Sequence, residues 1–204
     1  MKGAQADSGS ERDIVPRPEG LEVVEEGRSL LLSKRWFTPA IFGLAFFCVI
    51  WDSFLVFWYG VAFSGEGPEG PGALMMVVFP LGHVAVGVGL TYFTVASFLN
   101  TTTLEITGEA VTVHHGPVRW PGSQVVPSDD IEQVYCNSLT STPSKRRTTT
   151  RYRVKLAMRD GSSRTLLKGL TDLETALYVE QAIEVKLGIQ NRRVGGEVGR
   201  SSRV

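Results

Sequence analysis

Two long apolar runs lie about ten residues apart in the first half of the chain, and they constrain its fold more than any other feature. From Pro39 to Phe63 the sequence PAIFGLAFFCVIWDSFLVFWYGVAF carries one charge. From Leu74 to Leu99 the run LMMVVFPLGHVAVGVGLTYFTVASFL carries none beyond whatever His83 takes up. At a rise of about 1.5 Å per residue, each run is long enough to cross a hydrocarbon core of roughly 30 Å. Residues 64–73 between them are rich in Gly and Pro, with two glutamates and no lysine or arginine. They predict a short extracytoplasmic loop, and so a two-helix transmembrane hairpin. The first run lies behind a mixed-charge segment and greatly exceeds the apolar core of roughly 7–15 residues in a secretion signal, which argues against a signal peptide.

Basic residues orient the hairpin. Lys34 and Arg35 stand directly before the first helix, and the next basic residue after Leu99 is Arg119. The positive-inside rule then places the loop outside and both termini in the cytoplasm, in a multi-pass protein of the cell (inner) membrane. Trp36 at the inner end, with Trp58 and Tyr59 at the outer end, fits aromatic belts at the two interfaces.

The hairpin contains two ionisable groups. A carboxylate such as Asp52 near mid-bilayer costs on the order of 2.5–3.5 kcal/mol on insertion scales, which the surrounding Leu, Ile, Phe and Val can outweigh. Counted from the inner ends of straight helices, Asp52 lies about 20 Å deep and His83 about 24 Å deep, so the two could meet. Either they form a proton-sensitive pair on an ion or proton pathway, or Asp52 is a hydrogen-bonded contact holding the hairpin or an oligomer together. Two helices from one chain enclose no pore, so a pathway would require oligomers. Gly82, Ala85, Gly89 and Ala96 recur at helical spacings and predict a small-residue packing face on helix two, with Pro80 bending the helix.

Beyond Asn100 the pattern changes to short alternating runs. Strands are expected at Thr103–Thr107, Val111–His114, Gln124–Val126, Ile131–Cys136, Tyr152–Met158 and Ser163–Leu167, with Asp160-Gly161 as a tight turn. An amphipathic helix follows over Thr171–Leu187, opened by a Thr171…Glu174 capping box and carrying Leu173, Ala176, Leu177, Ile183 and Leu187 on one stripe. Residues 21–38 predict a juxtamembrane β-hairpin. Residues 1–20 and 189–204 read as disordered tails, the second with four arginines and one glutamate.

Antiparallel strands closed by one amphipathic helix are the plan of a pleckstrin-homology-like barrel. The stretch Leu104-Glu105-Ile106-Thr107-Gly108-Glu109-Ala110-Val111-Thr112-Val113, followed by Val126-Pro127-Ser128-Asp129-Asp130-Ile131, resembles bacterial PH-like domains that follow a transmembrane hairpin in small membrane proteins. The resemblance covers residues 100–188 and implies an α+β membrane protein: the hairpin plus a small PH-like antiparallel β-barrel closed by a C-terminal helix. Such families mostly lack an assigned activity, so the resemblance implies a binding scaffold rather than a reaction. The first hairpin turn, Gly108-Glu109, lacks the basic residues of phosphoinositide-reading PH domains.

Basic residues gather instead at Lys145, Arg146, Arg147 and Arg151, in and after an expected loop over Ser138–Thr150. They suggest contact with anionic lipid or a solvated loop. With 21 basic and 21 acidic residues the chain has no net charge, which together with the lack of interleaved aromatics disfavours nucleic acid. Two cysteines, Cys48 and Cys136, make no disulfide framework and are expected to be unpaired. No catalytic, cofactor-binding or metal-binding motif is present, and no small-molecule substrate is identified. Adjacent His114 and His115 point to opposite faces of a strand and are expected at the surface or in a turn. The expected role is non-enzymatic: a binding or assembly module at the lipid bilayer, with a protein partner or self-association through the hairpin.

Overall fold

The computed structural model of the chain describes residues 15–64, 70–144 and 147–190, with backbone alone for 141–144 and 147–148. The expected tails and the glutamates of the 64–73 loop therefore lie largely or wholly outside the described residues. In chain order the elements are β1 (Leu21–Glu26), β2 (Ser29–Arg35), α1 (Ile41–Phe63), α2 (Pro71–Val78), α3 (Leu81–Leu99), β3 (Thr101–Ile106), β4 (Ala110–Gly116), β5 (Gln124–Pro127), β6 (Ile131–Ser144), β7 (Arg147–Met158), β8 (Ser163–Leu170) and α4 (Leu173–Leu187). The fold class is α+β. The described residues divide into two compact units, one holding those up to Leu32, Leu104–Val113 and those from Gln124 onward, the other those within Ser33–Thr103 and His114–Ser123.

The first unit is built on two antiparallel meanders, β1-β2-β3-β4-β5 and β6-β7-β8. Alternation along the strands sends Leu104 and Ile106 of β3, Val111 and Val113 of β4, and Val154 and Leu156 of β7 into a single core. Leu21 and Leu32 from β1 and β2, and Ala176, Leu177, Val179 and Ile183 from α4, join it. Asp172 caps α4, accepting from the Glu174 and Thr175 amides at 3.0 and 2.9 Å. The helix thus starts one residue later than a Thr171…Glu174 box predicts, because the shorter carboxylate reaches both free amides at once. Glycine at Gly161, with φ of +79°, makes the β7–β8 turn. Beside it Asp160 accepts from Ser162, and these hydrogen bonds hold its carboxyl below the ordinary value of 3.8.

Two expectations are corrected here. No closed barrel is found among the described residues: a single turn of 3-10 helix, Ser128–Asp130, separates β5 from β6 and carries the chain from one sheet to the other. Between β5 and β8 the side chain of Gln124 forms a link, its amide donating to the carbonyls of Thr165 and Leu166 at 2.9 and 3.1 Å. The expected basic loop over Ser138–Thr150 is largely strand, with Ser138 paired to Tyr152 and Thr140 to Thr150. Its Ser/Thr content suggests a loop, but threonine is β-branched and extends a pleated ladder.

In the second unit α1 matches the first apolar run. The second run begins earlier than Leu74, at Pro71, and is split at Phe79-Pro80 into α2 and α3. Proline supplies no amide hydrogen, so the carbonyl of Met76 loses its partner four residues on. Trp58 Nε1 donates to that carbonyl at 3.0 Å, and Tyr59 Oη donates to the Val77 carbonyl at 3.0 Å. Both spans, Ile41–Phe63 and Pro71–Leu99, are long and apolar enough to cross a membrane. Their outer faces leave Phe46 69%, Val56 75% and Phe57 70% exposed, a surface compatible with a membrane protein.

Candidate functional site

The seam between α1 and α3 holds the polar groups that the sequence marks as unusual. On α1 the buried residues Ile41, Cys48 and Leu55 recur every seventh position, the spacing of a helix that keeps one face against a neighbour. Asp52 lies on this side, and its Oδ2 accepts from Thr91 Oγ1 at 2.8 Å. One turn further along α3, the Thr94 hydroxyl donates to the Leu90 carbonyl at 2.8 Å. With its only hydrogen so committed, it receives the Cys48 thiol, 3.4 Å away.

Gly87 allows the helices to approach. A Cβ there would lie 2.8 Å from Asp52 Oδ1 and 3.2 Å from the Trp51 ring, closer than side chains pack. Beside the seam runs an open cleft of about 680 Å³ between α1 and α3. Its walls include Val49, Val56 and Val95; Asp52, Ser53 and Thr91 give it a polar patch. An acceptor-rich patch framed by apolar walls suits a helix or ligand that brings hydrogen-bond donors.

Asp52 and His83 meet different partners. His83 stacks on Trp51 with ring centroids 5.7 Å apart and lies 5.5 Å from Phe79, while Trp51 Nε1 donates to the His83 carbonyl at 3.2 Å. Thr91, two helical turns from His83, is the partner that Asp52 receives. The small-residue face, whose partner spacing alone leaves open as the first helix or another protein, is divided in the structure. Gly82, Ala85 and Gly89 are exposed, and a Cβ at either glycine would meet nothing within 4 Å. Gly87 and Ala96 pack inward instead. Spacing alone finds the glycines but not the face that meets α1.

Of the basic residues expected at anionic lipid, Lys145 and Arg146 lie outside the described residues, as does the side chain of Arg147. Arg151 donates to the Gly169 carbonyl at 3.3 Å. His115 is not a surface histidine: its Nδ1 lies 2.9 Å from the Thr102 hydroxyl and its ring packs edge-on to Trp36. His114 is exposed as expected. Cys48 and Cys136 are both buried, and no disulfide joins them.

In the first unit a more polar cleft of about 720 Å³ opens between the start of β6 and the end of α4, with Glu132 and Arg159 on its wall. Two carboxylates that the sequence analysis does not single out, Glu180 and Glu184, are buried on α4, with Glu180 only 1% exposed. Among the described residues no three His, Cys, Asp or Glu side chains gather as a metal site. No protein-family model and no curated protein matches the chain.

Proposed function

We propose that the protein is a non-enzymatic membrane module of PH-like plan, with both termini cytoplasmic, whose helical hairpin self-associates while its β-domain offers a binding surface. One observation carries this reading: Asp52, held by Thr91, opens onto a cleft with apolar walls on the face of the hairpin. In a hydrocarbon phase a carboxyl group with remaining acceptor capacity favours a second helix that supplies donors. Ser53, on the rim of the same cleft, supplies a donor of its own when two hairpins meet. For the β-domain, two antiparallel meanders with a terminal helix and a polar cleft support a scaffold that receives a protein segment, with Arg159 and Glu132 as its charged contacts.

Light scattering of the full chain in mild detergent tests the reading. Wild type is expected as a dimer or higher oligomer. Asp52→Asn keeps an acceptor for Thr91 and retains association. Asp52→Leu weakens it by about 1 kcal/mol, roughly fivefold in Kd. A monomeric wild type, or a leucine variant that associates as well as wild type, sinks the proposal. Proton flux into vesicles that both variants abolish would move the assignment to the alternative, an oligomeric pathway using Asp52 and His83.

A further inference from the structure

The ten residues between Val113 and Gln124, the end of β4 and the connection that follows it, carry no motif, yet several of them are anchored in the helical unit. The carboxamide of Asn100, itself 1% exposed, pairs with the backbone of Val118: Nδ2 donates to its carbonyl at 2.9 Å and Oδ1 accepts from its amide at 2.7 Å. Tyr92 Oη donates to the backbone carbonyl of Arg119. Trp120 stacks on Tyr92 with the ring planes 10° apart, and Trp36 meets it edge to face at 5.2 Å. On the other side of Trp36, its indole donates to Thr102 Oγ1 at 2.7 Å. The segment is thus fixed to the last turns of α3 and to the residues just before α1.

This arrangement sorts side chains by chemistry. Phe37, Phe42 and Phe98 form a cluster with centroids 5.5 to 5.8 Å apart where α1 starts and α3 ends. Next come the amphipathic rings of Trp36, Trp120 and Tyr92. Arg35 and Arg119, both exposed, immediately precede Trp36 and Trp120 in the chain, with Lys34 next to Arg35. Residues 33–51, 81–103 and 114–123 contain no Asp or Glu. Cations without acids, beside indole rings, at the end of apolar helices match the polarity profile of a bilayer at headgroup level.

We propose that Arg35 and Arg119, each next in sequence to an indole of the Trp36–Trp120–Tyr92 collar, form a site for the phosphate of an anionic phospholipid. The guanidinium groups take the charged oxygens, and the phenylalanine cluster lies along the first part of the acyl chain. The site rests on the helices crossing a membrane, but not on self-association of the hairpin.

Native mass spectrometry of the full chain released from nanodiscs tests the site, comparing discs of phosphatidylcholine with discs that also contain phosphatidylglycerol. Wild type is expected to retain phosphatidylglycerol in preference. Arg119→Gln leaves the backbone carbonyl that Tyr92 uses, so the collar stays folded while the preference drops about fivefold; Arg35→Gln adds a similar drop. Arg119→Lys keeps the charge and most of the preference. Arg151→Gln, on the β6–β7 hairpin, leaves it unchanged. Equal retention of both lipids by wild type, or a preference that survives both glutamine variants or is lost with Arg151→Gln alone, overturns the site. Failure of the chain to enter nanodiscs at all would overturn the membrane-spanning reading together with it.

Discussion

An indole N–H shielded from water must find an acceptor, and a carbonyl orphaned by proline must find a donor; Trp58 and Met76 answer both needs with one bond of 3.0 Å. The pairing gives Trp58 a role beyond the interfacial belt that its position suggests. Trp58→Phe removes the donor and strands the Met76 carbonyl, at a cost of about 1–3 kcal/mol of hairpin stability. Pro80→Ala restores an amide hydrogen at position 80 that reaches the same carbonyl within the helix. In that background Trp58→Phe should therefore cost much less. Unfolding titrations of the four variants in mixed micelles measure the coupling, and equal costs of Trp58→Phe in both backgrounds would refute it.

At the level of elements, the contact of α1 with α3 depends on which glycine faces inward. Gly87→Val brings methyl groups into space held by Asp52 Oδ1 and the Trp51 ring, and should destabilise the hairpin by about 1–3 kcal/mol. Gly89→Val, on the same helix, points into open space and should leave helix pairing within one chain unchanged. Crosslinking between cysteines placed on the two helices reads both; comparable losses would contradict the assigned face. Periodicity made the existence of these helices legible, because a 25-residue run with one charge has few other fates. It did not reveal the facing residues: Gly82, Ala85 and Gly89 fit a small-residue pattern as well as Gly87 does, and only the position of Asp52 and Trp51 distinguishes them. The strands were legible from alternation, and the register of β4 with β5 follows from Val111 and Val126 both turning inward. The extension of β6 and β7 through Ser138–Thr150 was hidden because serine and threonine serve strands and loops alike. Glu180 and Glu184 were hidden because charge argues for solvent, whereas their place on α4 is set by the apolar neighbours Val179 and Ile183.

In chain order, the two apolar spans are inserted between neighbouring strands of the five-stranded meander. Strands β2 and β3 are neighbours in the five-stranded sheet, yet about 65 residues separate them in sequence. Where a tight turn would ordinarily join such strands, the backbone of Trp36 donates to the Asn100 carbonyl at 3.1 Å, and the helices occupy the connection. The core of the β unit draws on β1 to β8 and α4, and the residues that form it include none from α1, α2 or α3. Folding of that core therefore does not require the helices as packing partners. Replacing residues 37–99 with an Asn-Gly turn, whose twist suits two antiparallel strands, should yield a water-soluble protein. It should show a β-rich circular dichroism spectrum and one cooperative thermal transition. Aggregation, or loss of the cooperative transition, would mean that the β unit needs the helices to fold. A soluble and cooperative product would separate the functions proposed for the chain, leaving the proposed self-association and lipid contact to the inserted helices and the proposed segment binding to the β unit alone.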